Sequence, residues 1–168
     1  MTAIDAEQLI KWYKACGAEL LLYARHLTGD QLAEDVVQDA FVKLLRQRVC
    51  PDNVRAWLFR VVRNTSISSI RRLRIKRLFF QSLSAETQSW FQSCPDDLID
   101  AQQVQSLLET LSPSHREVVL LRIWGQMSLK EVAQVVHRPL STVHHMYQMA
   151  LETLRKKLEH ASCKTRID

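Results

Sequence analysis

The chain has 168 residues, 46% of them hydrophobic, enough to bury one ordinary core or two small ones. Its longest apolar runs span only a few residues, as in "LLLYA" between Glu19 and Arg25, which excludes a membrane-spanning helix. Its formal charge of +5 is divided unevenly: six basic and eight acidic side chains in residues 1–52, eight and none in 53–85, none and five in 86–111, nine and five in 112–168. Four cysteines, Cys16, Cys50, Cys94 and Cys163, lie far apart with no CxxC pair, so free thiols are expected in place of a disulfide frame or a metal site. The opening "MTAIDAEQ" lacks a basic-then-apolar signal, and the expectation is a soluble, cytoplasmic protein with no membrane insertion.

From Ala6 to Leu27, Leu9, Tyr13, Cys16, Leu20, Ala24 and Leu27 recur at steps of three and four, which predicts an amphipathic helix begun by Asp5 and Gln8 as a capping box. "TGD" at 28–30 breaks it. A second helix from about Asp30 turns Leu32, Val36, Val37, Ala40, Leu44 and Leu45 inward and leaves Asp35, Gln38, Asp39 and Val42 outward. After "CPDN", with Asn53 as cap, a third helix buries Val54, Leu58, Val61 and Val62, and the acid-free stretch continues from it. Beyond about Phe80, "QSLSAETQSWFQSCPDD" has no sustained period and reads as a linker in which Trp90 and Phe91 can dock elsewhere.

A second module is expected from Gln102. Ser112 and Pro113 open one of its helices, "GQ" at 125–126 closes it, and Ser128 with Glu131 caps the next. After "HRP", Ser141 is expected to cap a final helix whose apolar stripe is Val143, Tyr147, Ala150, Leu151, Leu154 and Leu158. Helix, short turn, helix is the geometry that lays its second helix in the DNA major groove. No strand pattern occurs, so the fold class is all-α: two small helical domains joined by a flexible acidic linker, the C-terminal one a helix-turn-helix.

Three motifs in order, "AEDVVQDAFVKLL", "AWLFRVVRNTSISSIRR" and "LSPSHREVVLLRIWGQMSLKEVAQVVHRPLSTVHHMYQMALETLRKKL", resemble a sigma-70 family RNA polymerase sigma factor of the small, extracytoplasmic-function group. The resemblance implies a domain over 1–80 for polymerase docking and −10 melting, a linker over 81–101, a −35-reading domain over 102–160 and a tail over 161–168. It implies core RNA polymerase and promoter DNA as partners, and leaves open an anti-sigma protein. Asp35, Gln38, Asp39 and Val42 match the face that grips the polymerase. Trp57 and Asn64 match positions that help open the −10 element and hold a base turned out of the stack, with a core aromatic as the other reading of Trp57. The chemistry agrees. A strand leaving a duplex is held through its phosphates by Arg or Lys and through its bases by aromatic faces, which Arg60, Arg63, Arg71, Arg72 and Arg74 with Trp57 supply. For the −35 element the matching positions are Arg138, Ser141, Thr142, His144, His145 and Gln148.

The sequence departs from the family in three places that matter, one of them the tail after Leu158, "EHASCKTRID", which matches no assigned segment. Ser68 stands where the family often has Asp in "RNxxxDxxR". On the reading helix His144, His145 and Met146 replace the usual Lys and Arg, and a neutral imidazole offers neither charge nor the bidentate fork that Arg offers guanine. The alternatives are a helix-turn-helix regulator that binds duplex DNA without joining polymerase, which would have no use for the docking face, and a hydrolase or nuclease. Three glycines give no phosphate-cradling loop, and no HExxH occurs. No catalysis, metal, cofactor or small-molecule substrate is therefore expected. A protein-only scaffold leaves the acid-free basic stretch unexplained.

Overall fold

The computed structural model describes residues 4–79 and 98–164, with side chains over 4–75 and 103–159. All regular structure among the described residues is helical, and the chain divides into two compact units. The first holds α1 (Ala6–Thr28), α2 (Asp30–Leu45) and α3 (Val54–Phe79); the second holds α4 (Leu98–Glu109), α5 (Pro113–Ile123), α6 (Leu129–Val136) and α7 (Leu140–Lys164). The start of α4 falls inside the stretch read as linker. Trp90 and Phe91 lie outside the described residues.

In the first unit, Asp5 caps α1 by accepting the Gln8 backbone N–H at 2.7 Å. Gly29 then separates α1 from α2 with φ 76°, a conformation other residues adopt at a cost, while its N–H bonds the Arg25 carbonyl at 2.8 Å. Arg25 also pairs with Asp30 at 3.0 Å, fixing the corner from both sides. Asn53 caps α3 through the Ala56 N–H at 2.9 Å.

Three helices meet over Leu20, Tyr23 and Ala24 of α1, Val36, Val37, Ala40 and Leu44 of α2, and Val54, Leu58, Phe59 and Val62 of α3. Each large side chain buried there contributes about 1.5–3 kcal/mol of transfer free energy. The Tyr23 and Phe59 rings lie 5.4 Å apart and tie α1 to α3. Cys16 is fully buried and donates its S–H to the Trp12 carbonyl; burial pushes its pKa up to about 11, offset in part by Arg55, so the thiol stays protonated and unreactive at neutral pH.

The expected stripes were too narrow in one direction and too long in another. Phe59 is buried beside Leu58 because α3 packs against two helices and buries a wide arc. Tyr13, expected inside, is 60% exposed, its ring tilted against Phe41 at the rim of the bundle; Leu45 is 44% exposed where α2 runs out of neighbours. Ser66 is the last fully buried residue in the described part of α3; Ser69 and Ile70 are half-buried, and every residue from Arg71 to Ile75 is exposed.

In the second unit, Ser112 caps α5 with Pro113 in its first turn, and Ser128 and Glu131 exchange both bonds of a capping box at α6, at 3.3 and 2.7 Å. Arg116 donates to the carbonyls of Leu108, Glu109 and Leu111 and so satisfies the open end of α4. Gly125 is required after α5, since a Cβ there would run into the Leu121 carbonyl. His137, left-handed at φ 55°, ends α6.

Ser141 does not cap α7. The helix begins one residue earlier, at Leu140, and its first bond runs from the Val143 N–H to the Pro139 carbonyl at 3.1 Å. A proline fits this boundary because it has no N–H to satisfy and its φ is already fixed. Val143, Met146 and Ala150 form the buried side of α7, whereas Leu151 and Leu158 are exposed. Eight residues advance a helix by about 80° past full turns, which carries Leu151 off the line of Val143.

Candidate nucleic-acid interface

On α3, Trp57, Arg60, Asn64, Ile67, Arg71 and Arg74 follow one another at steps of three and four, forming one face away from Leu58, Phe59, Val62 and Ser66. Trp57 is half-buried, outside the fully buried core but partly packed, so both readings of it stay open; Asn64, Arg71 and Arg74 are exposed. Arg60, Arg71, Arg72 and Arg74 form no ion pair among the described residues. Arg63 is half-buried on a neighbouring arc. Arg55 serves another purpose: it reaches Glu19 at 3.6 Å and the Ala15 carbonyl at 3.4 Å, and lies over the Phe59 ring at 5.8 Å, fastening α3 to α1. Ile67, 45% exposed in the middle of the basic face, was not singled out in the sequence, since an isoleucine carries no binding signal of its own.

Between α2 and α3 runs a groove of about 610 Å³, lined by Asp35, Asp39 and Lys43 on one side and Asn64, Thr65 and Arg72 on the other. It brings together residues expected to contact polymerase and residues expected to contact DNA. The Lys43 ammonium lies 2.6 Å from Asp39 and donates to the Thr65 hydroxyl at 3.1 Å, and that hydroxyl donates to Asp39 at 3.4 Å. Asp35 is exposed and has no hydrogen bond or ion pair among the described residues. Gln38 faces a second cleft of about 220 Å³ against Tyr13 and Gly17 of α1, and Val42 is 42% exposed. Lys43 was legible as the i+4 partner of Asp39; Thr65 carried no local signal.

On α7, Ser141, His144, His145 and Gln148 are exposed on the side opposite Val143 and Ala150, Thr142 is half-buried at its edge, and Arg138 is exposed in the turn. Met146, which stood among the reading residues, belongs to the core. Further along α7 Lys156 pairs with Glu152 at 2.8 Å and Arg155 with Glu159 at 2.9 Å, while the exposed Lys157 forms no ion pair among the described residues. The Lys156 hydrogen bond holds the Glu152 carboxyl below the ordinary carboxylate range. Among the described residues no cluster of His, Cys, Asp and Glu could hold a metal ion, and no helix is long and apolar enough to cross a membrane.

Residues 12–75, spanning most of the first unit, match the family model Sigma-70 region 2, and residues 101–154 match Sigma-70, region 4. The RNA polymerase sigma-E factor of Streptomyces avermitilis is 30% identical over 144 residues, 83% of this chain and 79% of that protein. The chain belongs to the sigma-70 family of RNA polymerase sigma factors. Within the family it groups with the extracytoplasmic-function factors, such as SigW of Bacillus subtilis, 26% identical over 75% of each chain. In fold this sigma factor is similar to RpoE of Bartonella quintana, solved in complex with the anti-sigma factor NepR, with a TM-score of 0.76 at 22% identity over 92% of this chain and 98% of that one. As a sigma factor it binds core RNA polymerase and promoter DNA in transcription initiation. A free-standing helix-turn-helix regulator would account for region 4 alone and leave region 2 without a role.

Proposed function

We propose that the two units divide promoter recognition between them: α2 docks the polymerase, α3 holds the melted −10 strand and α7 reads the −35 duplex. On α2, Asp35, Gln38 and Val42 meet the polymerase, with Asp39 at the edge of that surface. On α3, Trp57 receives an unstacked base, Asn64 bonds its edge, and Arg60, Arg63, Arg71, Arg72 and Arg74 hold the phosphates. A base on an aromatic face is worth about 1–3 kcal/mol, and each phosphate contact adds a salt-dependent increment. On α7, Arg138, Ser141, Thr142, His144, His145 and Gln148 face the groove. The protein works in the cytoplasm and does no covalent chemistry; it lowers the cost of strand separation by binding the separated strand. Two fold neighbours, RpoE and CnrH, were solved with the anti-sigma proteins NepR and CnrY, which supports a similar partner here.

The observation that carries the reading is the exposed face of α3, where an aromatic, an amide and unpaired arginines share one stripe with no acid from residue 53 to 85. Acids interleaved there would repel phosphate. The docking half is tested by Asp35→Ala with Asp39→Ala. The pair should abolish retention by core polymerase while thermal stability changes by less than about 1 kcal/mol, since both sites are solvent-screened. Normal retention would remove the docking assignment.

A further inference from the structure

Polymerase grips α2 and DNA grips α3, so whatever force separates the strands is borne by the contact between these two helices. That contact is apolar over most of its length. Polar links between α2 and α3 include those that join Lys43, Thr65 and Asp39. Thr65 sits one residue before Ser66, the last fully buried residue in the described part of α3, and next to Asn64 on the proposed melting face.

The three groups close a ring. Lys43 reaches Asp39 at 2.6 Å and the Thr65 oxygen at 3.1 Å, while the Thr65 hydroxyl hydrogen points to Asp39 at 3.4 Å. A mid-helix threonine commonly bonds its own i−4 carbonyl; here the hydroxyl crosses to the neighbouring helix, using its donor and its acceptor at once. Lys43 and Asp39 are each more than two-fifths exposed, so solvent screens the pair and its contribution to stability is small. Its direction is what matters. It fixes the rotation and height of α3 against α2 shortly before the exposed basic stretch that begins at Arg71.

We infer that Thr65 and Lys43 are positioning residues that hold the strand-binding face of α3 in register with the polymerase-docking face of α2, and so couple polymerase docking to promoter opening. This rests on the assignment of α2 to docking and α3 to strand binding. Neither Thr65 nor Lys43 needs to touch DNA.

The test uses holoenzyme carrying the full chain. Thr65→Val keeps the shape and removes the hydroxyl; Thr65→Ser restores it. With Thr65→Val, retention by core polymerase should be unchanged, and open-complex formation, followed by permanganate reactivity of −10 thymines, should slow roughly five-fold, the size of one net hydrogen bond. Thr65→Ser should recover the rate. On a template already mismatched over the −10 region the Thr65→Val defect should disappear, because a pre-melted strand needs no force across the helix pair. Trp57→Ala keeps the two assignments distinguishable: if it opens promoters normally, the assignment of α3 fails. If Trp57→Ala is defective while Thr65→Val matches the unmutated protein, or Thr65→Ser fails to rescue, the positioning role fails. A defect that persists on the mismatched template would mean that Thr65 binds the strand itself, and would also overturn it.

Discussion

The helices α3 and α7 are nearly equal in length, 26 and 25 residues, and each turns one face out of its unit, yet they treat charge in opposite ways. On α3 the arginines at 60, 71, 72 and 74 have no acid partner among the described residues. On α7 the cations at 155 and 156 are each held by a glutamate four positions away, leaving Lys157 as the cation without an ion pair among the described residues, and the outward residues of the first turns are Ser, His and Gln with Leu140. An unpaired arginine displaces counterions when it meets a phosphate, whereas a cation already paired to a carboxylate gains little. The contrast is what the proposed division of labour requires: α3 would bind a single strand by charge and stacking, α7 a duplex mainly by hydrogen bonds.

The largest effect that could break this contrast comes from α3. Replacing Arg71, Arg72 and Arg74 by Ala should lower the log-log salt slope for forked −10 DNA by about 2 units, since each phosphate left unneutralised on a single strand takes away about 0.7. Fluorescence anisotropy across a salt series measures it, and an unchanged slope would place these arginines in solvent. On α7 the charge effect should be confined to the turn. Arg138→Ala should flatten the slope for −35 duplex by about 0.9 if it contacts one phosphate. His144→Ala with His145→Ala should weaken −35 binding roughly three- to ten-fold with little change in slope if the two act as hydrogen-bonding groups. A slope that falls with the histidines would make α7 electrostatic as well.

The smallest effect sharpens the contrast at the paired end of α7. Because Lys156 holds the Glu152 carboxyl below its ordinary range, the stabilising contribution of the pair is present above the unfolded carboxylate value and is lost as pH falls through the lower folded one. Carbon-detected NMR titration should find Glu152 titrating below an ordinary glutamate, and Lys156→Met should move its midpoint up. Glu152→Gln should free Lys156 and steepen the duplex salt slope slightly; a slope left as it was would mean that Lys156 faces away from DNA.

Much of this was written locally. Asn53, Ser112 and the Ser128–Glu131 box announce helix starts because a cap is satisfied by residues two or three positions away. Ser141 misled, since Pro139 had already opened the helix and a serine inside the first turn looks the same in sequence as one before it. Tyr13, expected inside, is exposed, and Phe59, absent from the expected inward set, is buried, because burial depends on how many helices face a residue, and period alone does not reveal that. The assignment of Asp35, Gln38 and Asp39 to one outward face was legible, but their separation was not. Asp35 and Asp39 line the groove shared with Asn64 and Arg72, while Gln38 faces Tyr13 on the other side. Thr65 could not be singled out, because its meaning lies in Asp39 and Lys43 of another helix.

The central claim is that the outward stripe of α3 lies against the separated −10 strand. Ile67 sits in the middle of that stripe and is 45% exposed, so a photoreactive phenylalanine analogue placed there would touch whatever covers the face. Irradiating holoenzyme on promoter DNA should cross-link position 67 to the −10 strand in the open complex, with the yield falling when Arg71, Arg72 and Arg74 are replaced. A cross-link to polymerase alone, or to duplex DNA at −35, would contradict the account.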